Sequence, residues 1–179
     1  MNNLYNETVG FILGRRSVRS FEPRNVEPEK VSILLECGFA APSAKNLQPC
    51  HLIVVDDKEL LRKMGNSVEQ FRMLTEAPLA IAVAVDVEHY EKVHKITDGT
   101  WMEDASAVTE NILIAARSLG LEGCWLQVAN RPGSEEVALP ALNLPSGANI
   151  LALVVLGYGK EHKSKHKGVD ETRLHKNAW

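Results

Sequence analysis

The sequence predicts an α+β fold, a sheet flanked by helices, on three observations. Ala80-Ile81-Ala82-Val83-Ala84-Val85 is a near-continuous apolar run, the pattern of a strand covered on both faces. Residues 102–119 carry an apolar stripe at helical spacing through Ala105, Val108, Ile112, Ala115, Ala116 and Leu119, with Gly120 placed to end the helix in a left-handed conformation. The remaining strand and helix signals do not alternate regularly, and no Gly-rich nucleotide fingerprint follows a strand, which argues against a Rossmann sheet.

The other elements follow in chain order. Residues 3–13 read as a helix. Pro28 suits a first helical position, and Val31, Leu34, Leu35 and Gly38/Phe39 recur at helix spacing over 28–40. Leu52–Val55 predicts a short buried strand. Asp56 or Asp57 then caps a helix through Met64 that Gly65 ends, and a further helical turn or two precedes Pro78. Beyond the long helix, strands are expected at 123–129 and 149–156, separated by a short helix capped by Ser134 and a loop from Pro140 to Pro145. Gly157-Tyr158-Gly159 lacks the spacing of a phosphate-binding loop and precedes no helix, so it reads as a turn closing a strand.

Composition bounds the function. With 179 residues, 45% hydrophobic and 24% charged, the chain suits one domain, 1–179, with a genuine core. A net charge of −3 is too near neutral for a protein whose affinity must come from neutralising nucleic-acid phosphates. Cys37, Cys50 and Cys124 form no CxxC pair and are odd in number, which argues against a disulfide framework or a zinc site and for a reducing cytoplasm. No signal peptide, lipidation motif or membrane span is read from the sequence, so neither a nucleic-acid nor a membrane partner is expected. The tail, 160–179, is rich in Lys and poor in apolar residues until Trp179; such a segment cannot build its own core and is expected to dock on another surface. His162 and His166 stand four apart without a third ligand and read as solvated residues.

Three segments carry chemistry. Arg15-Arg16-Ser17-Val18-Arg19 packs three guanidiniums and a hydroxyl into five residues, and the planar Arg fork matches the oxygens of a phosphate dianion. A basic turn of this kind also occurs as a solvated anion patch. Pro42-Ser43-Ala44-Lys45-Asn46-Leu47-Gln48 joins a Pro-set backbone to donors and acceptors that suit the edges of a flat heterocycle, although Ser, Asn and Pro serve ordinary loops as well. Gly120-Leu121-Glu122-Gly123-Cys124-Trp125-Leu126-Gln127 is a helix stop running into a strand; alone, Gly120 is a cap and Trp125 a core residue.

In their order and spacing these segments resemble the FMN-dependent nitroreductase family. The resemblance runs from Arg15 to Trp179 and takes in the Asp98-Gly99-x-Trp101-Met102-x-Asp104 lead into the long helix and the Arg173-Leu174-His175 to Trp179 ending. It implies a nitroreductase-like mixed sheet flanked by helices, in an intertwined homodimer that exchanges C-terminal tails and holds FMN at the interface. By position, Arg15, Arg16 and Ser17 would bind the FMN phosphate and ribityl chain. Arg19 would lie near the pyrimidine N1–C2=O edge, and the main chain near Leu126, Gln127 and Val128 would meet flavin N5. Pro42, Ser43, Ala44, Asn46 and Gln48 would come from the other subunit, and Arg173 would reach the phosphate. The implied activity is hydride transfer from NADH or NADPH through FMN to a nitroaromatic, quinone or similar small acceptor. The same resemblance leaves open another flavoenzyme on this fold, a dehalogenase or an enoate-type reductase, or a non-catalytic flavin-binding redox module. Cys50, where many members have Trp after Gln-Pro, and Glu122, in place of the second Gly of Gly-Leu-Gly, depart from the pattern.

Overall fold

The computed structural model describes residues 6–95, 97, 99–161 and 168–179. Its scaffold is a four-stranded sheet in the order β1 (Cys50–Val55), β2 (Leu79–Asp86), β4 (Ala148–Gly157), β3 (Glu122–Gln127). These strands pair antiparallel throughout, with Ile53 opposite Ala82, Ala82 opposite Leu153 and Leu126 opposite Leu153. The parallel pairing in the described residues is a single bridge between Ser17 and Gly123 at the outer edge of β3. A register shift between Val83 and Ala84 bends the centre of the sheet.

The apolar run of β2 is buried along nearly its whole length and feeds two cores. Leu79, Ile81, Val83 and Val85 face a layer made by α2 (Pro28–Phe39) and α5 (Thr100–Ser118). Ala80, Ala82 and Ala84 face α3 (Lys58–Gly65), the 3-10 segment Glu69–Thr75 and α6 (Ser134–Ala141). The alternation of large and small side chains lets helices pack closely on the alanine face, and each fully buried Ile or Val contributes about 1.5–3 kcal/mol.

The long helix spans Thr100–Ser118, and Gly120 has φ 74°, the left-handed stop the sequence predicts. Asp57 is the cap of α3, accepting from the Glu59 and Leu60 amides at 2.8 and 3.1 Å. Residues 3–5 of the expected first helix lie outside the described residues; within these, α1 covers Glu7–Gly14, with Asn6 as its cap accepting from Val9 N. Two expectations are corrected. Gly133, at φ 81°, starts α6; Ser134 is a buried first residue accepting from Gln70 Nε2 at 2.9 Å, and Pro140 lies inside the last turn. An additional helix, α4 (Val87–His94), follows β2, capped by Asp86 accepting from His89 N. Strand edges also move, so that β1 begins at Cys50 and β3 runs Glu122–Gln127.

Tyr158 ends β4 as a tether. Its hydroxyl donates to Glu27 Oε2 at 2.6 Å and accepts from Lys30 Nζ at 2.9 Å, while Arg24 lies 3.8 Å above its ring. Residues 168–179 are exposed, and Trp179 stacks on His175 at 4.6 Å. His162, His166 and Asp98 lie outside the described residues.

Candidate flavin site

The site begins where α1 stops. Arg15 leaves the helix with extended backbone, and the chain runs through residues 15–19 to join the edge of β3, Val18 N donating to Gly123 O at 3.0 Å. Val18 and Phe21 are buried at 1% exposure and anchor this segment in the core. Alternation along an extended chain then turns Ser17 and Arg19 away from the side Val18 fills. Ser17 lines one cavity and Arg19 another, so the two cavities follow one another along this short extended segment.

The first cavity, about 920 Å³, is lined by Arg15, Arg16, Ser17, Arg173 and the carboxylates of Glu110, Asp170 and Glu171, with Ile12, Leu13 and Val169 among its apolar neighbours. Arg15 Nε pairs with Glu110 Oε1 at 3.2 Å, which leaves the forked Nη end of the guanidinium for a ligand. Arg16 Nη1 donates instead to the carbonyls of Leu13 and Arg15 at 2.8 and 2.5 Å, closing the end of α1. Arg173 is braced by Asp170 at 2.8 Å. Three guanidiniums and three carboxylates meet here, and the Arg15 fork, braced by Glu110, offers the planar donors a terminal phosphate needs.

The second cavity, about 570 Å³, is lined by Arg19, Gln70, Arg72, Met73, Trp125 and Leu126, among others. Arg19 makes one long bond, Nη1 to Ser17 O at 3.5 Å, and Arg72 pairs loosely with Glu69 at 3.7 Å. Burial pushes the Cys124 thiol up, and the Arg19 guanidinium is the largest influence opposing that shift, so the field of Arg19 reaches the floor of β3.

β3 is the edge strand, and its ladder phase follows from two bonds. Gly123 O accepts from Val18 on the outer side, whereas Val128 N donates inward to Leu151 O. In an antiparallel pair the direction alternates residue by residue. Cys124 and Leu126 therefore bond to β4, and Trp125 and Gln127 turn their main-chain groups to the open edge. Of the expected N5 neighbours, Gln127 presents an outward N–H and Leu126 does not. The Gln127 side chain is held in place, accepting from Trp125 Nε1 at 2.8 Å and donating to Ala129 O at 3.1 Å.

Residues 42–48 form a tight 3-10 turn, Ala44–Asn46, with Lys45, Asn46 and Gln48 all at positive φ (50°, 56° and 48°). Non-glycine residues in this region are strained, a state that persists where surrounding contacts fix it. Gln48 N donates to Ser43 Oγ at 2.8 Å. Pro42, Ser43, Ala44, Asn46 and Gln48 line neither cavity. Within one chain, then, the structure joins Arg15, Arg16 and Ser17 to Arg173, and Arg19 to Leu126, but not these groups to the 42–48 turn. Sequence reasoning missed Glu110, Gln70, Arg72 and Met73. Nothing local marks them; they reach the cavities through the packing of α5 and the 3-10 segment.

The two departures have local explanations. Glu122 forms a close ion pair with Arg117, stapling the end of α5 to the start of β3. Cys50 is half-buried beside the α2–α5 layer, and burial, with Asp104 second, raises its thiol to about 12, so it is a neutral packing group. No helix among the described residues is long and apolar enough to cross a membrane.

The Nitroreductase family profile matches residues 12–71 and 67–158. A protein of Archaeoglobus fulgidus provisionally named an NADH dehydrogenase/NAD(P)H nitroreductase is 36% identical over 97% of this chain and 99% of its own. The crystal structure of a protein of similar name from Parabacteroides distasonis superposes with TM-score 0.87 at 33% identity, covering 98% of this chain and all of the other. An FMN-dependent nitroreductase of Clostridium difficile gives TM-score 0.86 at 32% identity over 96% and 99% of the two chains. The chain belongs to the nitroreductase family.

Proposed function

We propose that the protein is an FMN-dependent oxidoreductase that takes hydride from NADH or NADPH and delivers it to a nitroaromatic, quinone or similar small acceptor. We further propose that it works as a homodimer of single domains, each with a 160–179 tail reaching its partner. The observation that carries this reading is the Ser17–Gly123 bridge, which joins residues 15–19 to the edge of β3 with the Arg15–Ser17 cluster in one cavity at one end of the segment and Arg19, beside Arg72 and the open strand edge, in another at the other end. The residues fit the cofactor: a fork for a terminal phosphate, outward main-chain groups for a polar ring edge, and no second phosphate loop for an adenylate half.

Bound FMN supplies a carrier that accepts a hydride and passes it on. The chain's own residues bind and tune. Arg15 and Arg173 hold the phosphate, with Ser17 beside it; Arg16 keeps the end of α1 closed. Arg19 and Arg72 place positive charge where anionic charge develops on reduction, stabilising the reduced more than the oxidised state. Gln127 offers a fixed N–H at the strand edge. Pro42, Ser43, Ala44, Asn46 and Gln48 complete the pocket from the partner subunit. No side-chain nucleophile or general acid is required, since water can supply the acceptor's protons.

The homologues named for this chemistry span both nicotinamides: an NADPH-flavin oxidoreductase of Vibrio harveyi and an FMN reductase of Bacillus subtilis that uses NAD(P)H. The test is reconstitution. Purified protein mixed with FMN and passed over a desalting column should emerge yellow, and Arg15→Ala should emerge largely colourless. Wild-type protein that retains no FMN would overturn the reading.

A further inference from the structure

Asp104 sits in the first turn of α5 at 5% exposure, a buried carboxylate facing neither cavity. Its Oδ1 accepts from Ala44 N at 2.7 Å, and its Oδ2 accepts from Tyr90 Oη at 3.4 Å. Ala44 opens the 3-10 turn whose three non-glycine residues have positive φ, and Ser43 bridges that turn by accepting from Gln48 N. A carboxylate taken out of water is costly unless its hydrogen bonds are made, so a buried one aimed at a backbone amide fixes that amide firmly. The turn it fixes is the strained segment that lines neither cavity of its own chain.

We infer that Asp104 is the positioning residue that presets the 42–48 turn for the flavin held by the other subunit. The inference rests on the flavin reading above and adds a direction to it: the carboxylate on α5 of one protomer governs the affinity of its partner's site, not of its own. With Asp104 in place the turn is held in its positive-φ shape before any ligand arrives, so little ordering cost remains at binding. Without it Ala44 N loses its acceptor, and Lys45, Asn46 and Gln48 relax toward ordinary backbone.

The experiment is active-site complementation. Asp104→Ala should weaken FMN binding in the homodimer about tenfold to a hundredfold, the loss expected of one charge-assisted hydrogen bond. Asp104→Asn, which still offers Oδ1 to Ala44, should bind within about threefold of wild type if that acceptor is what counts. Two differently tagged chains, one Asp104→Ala and one Arg15→Ala, are then co-expressed and the mixed dimer isolated. It has one site built from an intact Arg15 and an intact partner turn, and a second site carrying both defects. It should bind one FMN per dimer with wild-type affinity. The mixed dimer is also made with Asp104→Ser, which keeps a polar group but is one bond too short to reach Ala44, in case the alanine variant fails to fold.

A mixed dimer whose two sites are both as weak as in the single variants means that Asp104 acts on its own subunit's flavin, and overturns the inference while the flavin reading stands. Wild-type affinity in the Asp104→Ala and Asp104→Ser homodimers overturns it too. Wild-type protein that takes up no FMN overturns the flavin reading itself.

Discussion

Arg15 and Arg19 are four residues apart and are expected to do different things, because they stand toward the two ends of the segment that Val18 anchors and line separate cavities. With the proposed phosphate role, Arg15→Ala should raise the FMN dissociation constant with little effect on the potential of whatever flavin remains. Loss of Arg19 removes positive charge beside the strand edge. Arg19→Leu should retain FMN better but lower its midpoint potential by up to about 60 mV, the two-electron equivalent of one hydrogen bond to a charged group. Paired titrations of affinity and potential in both variants check this; an Arg19→Leu protein with an unchanged potential would remove the tuning role. The arginines were legible because a dense basic run is conspicuous. Their division of labour was not, since Arg16 turning back onto Leu13 O and Glu110 holding Arg15 Nε arise from packing between α1 and α5.

Cys50 adds a pH dependence at the same scale. Burial raises its thiol from the ordinary range to about 12, with the nearby Asp104 charge second. The folded state thus holds the proton more tightly than the unfolded chain does. That contribution is fully present below about pH 9 and is lost as pH rises toward 12. Thermal melts of wild type and Cys50→Ala between pH 8 and 11 should therefore diverge, with the variant losing less stability on the alkaline side; parallel losses would show that the buried thiol is not the group responsible.

At the scale of elements, the sequence was readable wherever a repeat was long. The stripe on α5, the apolar run of β2 and the Pro28 start of α2 each rest on several mutually consistent residues. The helix α4 went unread because Val87–His94 offers one buried side chain, Tyr90, and its cap looks like any aspartate after a strand. Ser134 misled for a related reason: its hydroxyl is spent on Gln70, and the glycine before it provides the turn. Caps make a clean prediction. Asp57→Ala removes the acceptor for two amides and should cost about 1 kcal/mol of stability in denaturant titration, without changing flavin affinity. Gly123 is another such point. A Cβ there would stand 2.8 Å from Val155 O, so Gly123→Ala should spread β3 from β4 and weaken FMN binding together with stability.

At the scale of the whole molecule, several apolar groups lack cover within one chain. Ile12 and Leu13 on α1 are 49% and 38% exposed, Phe39 at the end of α2 is 55% exposed, and Val169, Leu174 and Trp179 in the tail are still more open. Apolar surface gathered on neighbouring elements is the expected signature of an interface. Ile12→Glu should accordingly shift the protein toward monomer in sedimentation and release FMN, and deletion of residues 160–179 should do the same more weakly. A dimer of wild-type stability in both variants would move the interface elsewhere. This level was the least legible in the sequence, because within one chain the 42–48 turn lines neither of the cavities that the arginines line.

These residues are proposed to make a flavin shuttle. Its most direct test is an anaerobic titration of the FMN-reconstituted dimer with NADH and, separately, with NADPH, followed by addition of a quinone or nitroaromatic. The account predicts two flavins per dimer, bleached by at least one nicotinamide and restored to the oxidised spectrum when the acceptor is added. A flavin that binds fully yet is reduced by neither nicotinamide, or that once reduced is reoxidised by no such acceptor, would contradict it.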